Sequence, residues 1–595
     1  MDQSIPPVMT FKPSHPVATS IDRALHLQLS KSSMGLSPIS LSLAFADWAM
    51  HLAVSPRRQA RLGSLGISLS WEAWVNTLQT ETGVDAHETP VQENEHRFND
   101  EAWKSWPFKA LKEGFKASDS WRQESARVDG VAKHHQHVVD FFSRQWLDAL
   151  SPSNWPLTNP EVLKKSQVSM GQSLLQGQKN YLRDLKEDYK ARTVVGPGSL
   201  KPLDFEVGKD VAVTPGKVVF RNHLVELIQY APATEKVVPE PLLIVPSCIM
   251  KYYILDLSPA NSMVRYLVSQ GYTVFMISWR NPDARDRDLG MQDYLQIGVM
   301  EAMAAVKSLT GSPRIHAMGY CLGGTFLSIV AAALGLQENA ARWGYLPELA
   351  TVTLLASLTD FSEPGELGVF IDEDQIQTLR EIMARTGYMS GRQMGGAFQF
   401  LNSRDLIWSR QTHRYLLGED DVGNDMMSWN TDVTRLTERM HSEYLSSLYL
   451  DNALASGHYR LGGTGVSLMD IKAPMLVVGT VRDHVSPWRS VYKIHLHTDT
   501  HTTFILAAGG HNAGIVSEPG HPRRSYQQDS VEPGYGWTDP DEWAANAPSF
   551  EGSWWVAMDV WLKERSGAPV PPPPLHPACV LGDAPGDYVQ VRYAD

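Results

Sequence analysis

From about residue 205 onward the chain alternates short continuous apolar runs with longer stretches of helical length. Segments 242–246, 272–279, 314–318, 350–355, 475–479 and 502–506 are runs of the strand kind, and 259–270, 290–309 and 322–336 have the length and composition of helices. An apolar run without alternation marks a strand buried on both faces. The pattern therefore predicts a mostly parallel sheet with helices on both faces, an α/β architecture. Segment 217–230, rich in β-branched residues around Arg221-Asn222-His223, reads as a pair of strands ahead of this series.

Upstream the pattern is different. Residues 1–95 form a poorly defined N-terminal extension, which starts with Pro6, Pro7, Pro13 and Pro16 and ends in a polar stretch. Residues 96–205 read as a mainly helical domain. Val138, Val139, Phe141, Phe142, Trp146, Leu147 and Leu150 recur at helical spacing within 131–150, Ser151 to Pro156 break the pattern, and 173–190 is a second helix. Residues 206–595 carry the alternating series. It is interrupted at about 359–469 by an aromatic and glycine-bearing insertion, expected to be a cap that shapes a site and limits access to it. An insertion that only adds packing is the plainer alternative. The proline run 569–574 is expected to be extended.

Composition narrows the function. A chain of 595 residues with 43% hydrophobic and 20% charged residues buries a large core. A formal net charge of −13 argues against nucleic acid as the main partner, and means that an anionic substrate must meet a local basic cluster. Only Cys248, Cys321 and Cys579 occur, which excludes a disulfide framework and any zinc motif, so no metal is expected. The start lacks a basic segment followed by an apolar run, and 326–336 is too short to span a bilayer. A reducing, cytoplasmic setting fits best.

Candidate chemistry centres on Gly319-Tyr320-Cys321-Leu322-Gly323, which joins a predicted strand to a predicted helix. This is the context of the nucleophile elbow G-x-S-x-G of α/β-hydrolases, with cysteine in place of serine. A thiol nucleophile needs a base, and the base needs an orienting carboxylate. In that fold the chain order is nucleophile, acid, histidine. Asp483 follows the strand 475–479 and His511 follows the strand 502–506, so both arrive in order and on the expected loops. His484 is ranked below His511 as base because its neighbour already fills the acid position. His134, His135 and His137 read as a solvated helical face without a framing carboxylate. The oxyanion hole is assigned to the backbone N–H of Leu322 plus that of Ile249 or Cys248, after the strand 242–246.

These residues resemble a known family. Pro241 to Pro246, Lys251-Tyr252-Tyr253-Ile254-Leu255-Asp256-Leu257 and Ser278-Trp279-Arg280-Asn281-Pro282-Asp283 are similar to polyhydroxyalkanoate synthases. So are Gly319 to Gly324, Asp483-His484 with Pro487-Trp488, and Gly510-His511 with Ala513-Gly514. Upstream, Arg144-Gln145-Trp146-Leu147-Asp148, Ser151 to Asn154, Asn159-Pro160-Glu161, Val213 to Gly216 and Phe220-Arg221-Asn222 continue the likeness. Asp256 and Tyr320 fall within these motifs and Cys248 lies between two of them; all three are assigned to substrate binding. The chain departs from the family pattern at Ser247-Cys248, at Met250 and at Asn512.

The resemblance implies an α/β-hydrolase fold and a single-subunit enzyme that joins (R)-3-hydroxyacyl-CoA units into polyester. Cys321 would carry the acyl chain, His511 would act as base and Asp483 as its partner. CoA is then a leaving group and no cofactor is needed. A homodimer, granule-coat partners and a place at the surface of polyester granules are implied as well. The alternatives are a thioesterase or polyester depolymerase on the same scaffold, and a non-catalytic granule protein.

Overall fold

The computed structural model describes residues 36–79, 96–193, 203–336, 339–401, 403–420, 423–575 and 577–593. Its centre is an eleven-stranded sheet. In chain order the strands are β1 (Gly216–Arg221), β2 (Val225–Tyr230), β3 (Leu242–Val245), β4 (Val274–Trp279), β5 (Arg314–Tyr320) and β6 (Glu348–Leu355), then β7 (Met475–Thr480), β8 (Thr502–Ala507), β9 (Ser525–Val531), β10 (Ser549–Glu551) and β11 (Gly582–Asp583). Across the sheet they lie in the order β10-β9-β8-β7-β6-β5-β3-β4-β2-β1-β11. The central block from β8 to β4 is parallel, and both wings are antiparallel.

The parallel strands are those that the apolar runs predict. Residues of β3, β4, β7 and β8 are buried throughout, because two large apolar clusters cover the two faces of the sheet. The helix Leu322–Gly335 is apolar all round and nearly all buried, as a helix laid between sheet and neighbours must be. The strands β9, β10 and β11 escape the pattern, since Ser525–Val531 is polar and Ser549–Glu551 is exposed. They are held by backbone pairing at the sheet edges, which apolar periodicity does not report.

Two helices depart in detail from expectation. Segment 259–270 becomes helical only at Met263, where Ser262 Oγ accepts from the Arg265 N–H and fixes the start. Within 290–309 the turn Tyr294–Met300 widens to a π-helix, and Gly298 lies against the Trp279 ring, where a Cβ would come within 2.5 Å of it.

The region read as a poorly defined extension contains two helices, α1 (Pro38–Ala53) and α2 (Pro56–Leu78), each with proline at its first turn. Its residues 1–35 and 80–95 lie outside the described residues. The next helices are α3 (Phe108–Ala126), α4 (Lys133–Ala149), α5 (Pro160–Val168) and α6 (Gln172–Thr193). The α4 helix forms where predicted and buries Val138, Val139, Phe141 and Phe142 of the expected stripe, but it leaves Trp146 and Leu150 exposed. Phe141 and Phe142 pack edge-on against Phe370 of the insertion. Phe400 completes this aromatic cluster. The insertion itself is helical, with a small sheet pairing Tyr388–Met389 and Leu436–Thr437.

The histidine face at 134–137 has carboxylate partners after all. His135 Nδ1 lies 2.6 Å from Asp47 of α1, and His134 Nε2 lies 3.4 Å from Asp372 of the insertion. These partners come from distant segments, so local sequence did not show them.

Candidate active site

Between β5 and the helix Leu322–Gly335, Cys321 takes φ 53° and ψ −126°. That conformation costs a non-glycine residue about 1–3 kcal/mol and persists only where its surroundings hold it. Here the Cys321 N–H donates to Leu355 O at 2.9 Å, and Cys321 O accepts from the Gly324 N–H at 2.9 Å. The glycines of the motif are required by close approach. A Cβ on Gly319 would lie 2.3 Å from Gly324 Cα, and one on Gly323 would lie 2.1 Å from Val245 O. The elbow thus touches the end of β3 directly, and the partly exposed thiol stands at the N-terminus of a buried helix.

Two further strand ends bring the acid and the base. Asp483 follows β7 and His511 follows β8, and the loops are laced by Arg482 N–H to Gly509 O at 2.8 Å. Asp483 is oriented on both oxygens. Its Oδ1 accepts from the N–H groups of Val485 at 2.9 Å and Ser486 at 2.7 Å, and its Oδ2 faces His511 Nδ1 at 2.7 Å. On its other side His511 lies within electrostatic reach of the Cys321 sulfur. The structure thus brings together Cys321, His511 and Asp483, the residues expected from sequence to serve as nucleophile, base and acid. Burial, the largest influence on the imidazole, pushes its pKa down. The Asp483 carboxylate and the Cys321 sulfur outweigh it, and the net position is well above the usual histidine value. An imidazole so placed favours its protonated form.

The loop after β3 is gripped through its carbonyls. Trp279 Nε1 donates to Pro246 O at 2.9 Å. From the insertion, Thr434 Oγ1 donates to Cys248 O at 2.6 Å, the Thr434 N–H to Ile249 O at 3.1 Å, and Trp429 Nε1 to Lys251 O at 2.7 Å. The Ile249 N–H is directed to Ser247 Oγ at 3.3 Å. Gly323 lies against Val245 and Pro246, so Leu322 and this loop border the same space above the thiol.

The other assigned residues fall differently. Tyr320 is buried, its hydroxyl donates to Asn512 Oδ1 at 2.6 Å, and its ring lies 5.7 Å from that of His511. Cys248 is buried and its thiol pKa is pushed far up by burial, so it remains a neutral thiol. Asp256 is buried among hydroxyls, accepting from Thr214 Oγ1 at 2.5 Å, Ser262 Oγ at 2.6 Å and Tyr230 OH at 3.4 Å. Those bonds engage both carboxylate oxygens, and none of them reaches the triad.

The insertion contributes what sequence reasoning missed. Tyr444 and Tyr449 are edge-on to each other with hydroxyls 3.3 Å apart, and both lie within electrostatic reach of the Cys321 sulfur. Thr434 supplies two of the loop contacts. Neither role has a local signature, because each depends on how the insertion folds back over the sheet.

Comparison with known proteins agrees with this architecture. Residues 94–267 match the model for the poly-beta-hydroxybutyrate polymerase (PhaC) N-terminus, 15–58 match a second N-terminal model of the same polymerase, and 241–518 match the alpha/beta hydrolase fold. A poly(3-hydroxyalkanoate) polymerase of Methylorubrum extorquens is 38% identical over 93% of this chain and 89% of its own. Polymerase subunits PhaC of Rhizobium meliloti and Cupriavidus necator are 35% and 37% identical, over 90% and 78% of this chain and 86% and 77% of theirs. With that likeness spread over nearly its whole length, the chain belongs to the poly(3-hydroxyalkanoate) polymerase family.

Proposed function

We propose that this polymerase joins (R)-3-hydroxyacyl-CoA units through an acyl chain carried on Cys321. The observation that carries the reading is the ordered contact of Cys321, His511 and Asp483 at the elbow. The Cys321 thiolate attacks the thioester carbonyl, the carbon–sulfur bond to CoA breaks, and the CoA thiolate takes the proton held by His511. His511, now neutral, removes the proton from the 3-hydroxyl of a second unit. That alkoxide attacks the acyl-cysteine carbonyl, an ester forms, and the Cys321 thiolate is released. The N–H groups of Leu322 and Ile249 stabilise the tetrahedral oxyanion in each step. CoA leaves as product and no cofactor takes part.

Water in place of the 3-hydroxyl gives hydrolysis on the same scaffold. Enclosure by the insertion supports polymerisation, because it limits water at the acyl-cysteine. The test is incubation of the purified protein with 3-hydroxybutyryl-CoA. Polymer with CoA release supports the reading, and free hydroxy acid without polymer supports a thioesterase instead. Cys321→Ala must abolish CoA release, and unchanged release overturns the covalent scheme.

The reading extends to place and assembly. Ile67, Trp71, Trp74 and Leu78 form an exposed apolar stripe along α2. This supports attachment of the N-terminal helices to the apolar surface of a polyester granule, alongside granule-coat proteins and as a homodimer. No helix among the described residues is long and apolar enough to cross a membrane. Binding of the protein to isolated granules, lost on Trp71→Glu with Trp74→Glu, tests the attachment, and sedimentation tests the dimer.

A further inference from the structure

We propose that Thr434 is a positioning residue for the oxyanion hole, so that the hole is complete only while segment 429–435 of the insertion is seated on loop 247–251. This rests on the reading of Ile249 as an oxyanion donor.

The argument begins with a rigid unit. The carbonyl of Cys248 and the N–H of Ile249 belong to one planar peptide and point in opposite directions. Whatever fixes Cys248 O therefore fixes the aim of the Ile249 N–H. Thr434 Oγ1 holds Cys248 O at 2.6 Å, the shortest of the bonds to the backbone of this loop. The Thr434 N–H holds the next carbonyl, Ile249 O, at 3.1 Å, so both flanking planes are set by one residue. Met250 and Val433 add an antiparallel bridge, and Trp429 Nε1 closes the far side on Lys251 O at 2.7 Å. The sheet holds only the near end, through Trp279 Nε1 on Pro246 O. Lys251 Nζ also donates to Val591 O at 2.6 Å and Tyr588 O at 3.3 Å. Loop 247–251 is thus anchored to the sheet at one end and to the C-terminal segment at the other, while the carbonyls of Cys248 and Ile249 between them are held by the insertion.

The donor itself is only lightly engaged. The Ile249 N–H meets Ser247 Oγ at 3.3 Å, longer than the ~2.7–3.1 Å of a donor aimed at an oxyanion. A developing negative charge competes well for such a donor. Thr434 is itself buried, so its hydroxyl has a fixed partner and no water to exchange with. The seating of the insertion and the assembly of the hole become one event. Substrate that opens the insertion to enter meets an unaligned donor, and closure restores it.

Thr434→Val keeps the side-chain shape and the backbone N–H and removes the hydroxyl, whereas Thr434→Ser keeps it. In the full-length protein, kcat and KM for CoA release from 3-hydroxybutyryl-CoA are measured beside the rate of Cys321 alkylation by iodoacetamide. Alkylation is a displacement at saturated carbon and needs no oxyanion hole. Thr434→Val is expected to lower kcat about tenfold, short of the ~10²-fold or greater loss of an oxyanion donor itself. KM and the alkylation rate stay close to wild type, and Thr434→Ser restores kcat. A folded Thr434→Val with wild-type kcat overturns the proposal, as does a fall in alkylation that matches the fall in kcat. If Thr434→Val does not fold, Thr434→Ala is compared with Thr434→Ser in the same assays, and equal kcat values overturn it. Activity that survives Cys321→Ala removes the catalytic scheme instead, a different failure with a different readout.

Discussion

His511 Nδ1 faces Asp483 Oδ2 at 2.7 Å, while the other oxygen of Asp483 is held by two backbone N–H groups. The carboxylate cannot turn away, so the imidazole is fixed with its remaining nitrogen toward Cys321. Burial pushes the His511 pKa down, and Asp483 and Cys321 push it further up. Asp483→Asn removes the stronger of those neighbours and offers an amide N–H in its place. The variant is expected to lose about 10²–10⁴-fold in kcat, with the acid limb of its pH–rate profile moved to lower pH. An acid limb that stays put would show that Asp483 does not hold the imidazole's charge.

The same raised pKa has a stability consequence. A group whose pKa rises on folding contributes stability that is fully present below its unfolded value, about 6.5 for histidine, and is lost as pH climbs through the folded value. The difference in unfolding free energy between wild type and His511→Gln is therefore expected to be largest in mildly acidic buffer. It should shrink as the pH is raised past neutrality. Chemical denaturation across that range measures it, and a difference that grows with pH contradicts the assignment.

Gly323 is the second point where geometry decides. Its missing Cβ leaves room for Val245 O and Pro246 O, which a methyl would approach to 2.1 and 2.5 Å. Both are backbone atoms at the root of loop 247–251 and have no side-chain freedom to yield. Gly323→Ala is expected to destabilise the protein by about 1–3 kcal/mol and to abolish most activity by prising the elbow from β3. Gly114 on α3 is the control, since nothing lies within 4 Å of its would-be Cβ. Gly114→Ala is expected to add about 0.5–1 kcal/mol, read in the same denaturation experiment.

Why the elbow, Asp483 and His511 were legible is clear from their surroundings. Each sits at the end of a wholly buried parallel strand, and such strands write themselves as unbroken apolar runs. The strand Ser525–Val531 reads SYQQDSV and is joined to β8 by backbone pairing and one hydroxyl contact, Thr503 to Ser530, so no apolar pattern announces it. The helix α2 was hidden for the opposite reason. Its Ile67, Trp71, Trp74 and Leu78 are exposed, and they blur the polar face that would mark a helix. Thr434 is the hardest case. Its partners Cys248 and Ile249 lie far away in the chain, and the contact runs to carbonyls whose identity no side chain encodes.

Asp148 ties the N-terminal helices to the insertion. It is 1% exposed and lies 3.0 Å from Arg97 and 2.8 Å from Arg404. Removing one partner of a buried ionic group strands the others, which costs about 3–5 kcal/mol. Asp148→Ala removes the carboxylate that the two guanidinium groups share between α4 and the insertion, while Arg404 keeps Asp119 at 4.0 Å. The expected result is a loss of that order in unfolding free energy, with faster proteolysis inside 359–469. Arg404→Ala in the Asp148→Ala background should recover part of the loss, because one of the two stranded charges is gone.

The Oδ1 of Asn512 is the acceptor of the buried Tyr320 hydroxyl at 2.6 Å. Burial pushes the Tyr320 phenol well above its usual pKa, so it remains a donor that needs an acceptor. Asn512→Leu leaves that hydroxyl without its partner and is expected to cost about 1–3 kcal/mol. Tyr320→Phe alone leaves the amide oxygen unpaired at the site edge, where water replaces the phenol at smaller cost. Combining the two removes both polar partners at once, and such paired removal is close to neutral. The double variant is therefore expected to be more stable than Asn512→Leu alone. Because the Tyr320 ring lies 5.7 Å from that of His511, its activity should also exceed that of Asn512→Leu. Unfolding free energies of the four proteins in a double-mutant cycle measure the coupling. If the two single losses simply add, Asn512 is not there for Tyr320, and its amide must be explained by its second contact, with Asn430 of the insertion at 3.5 Å.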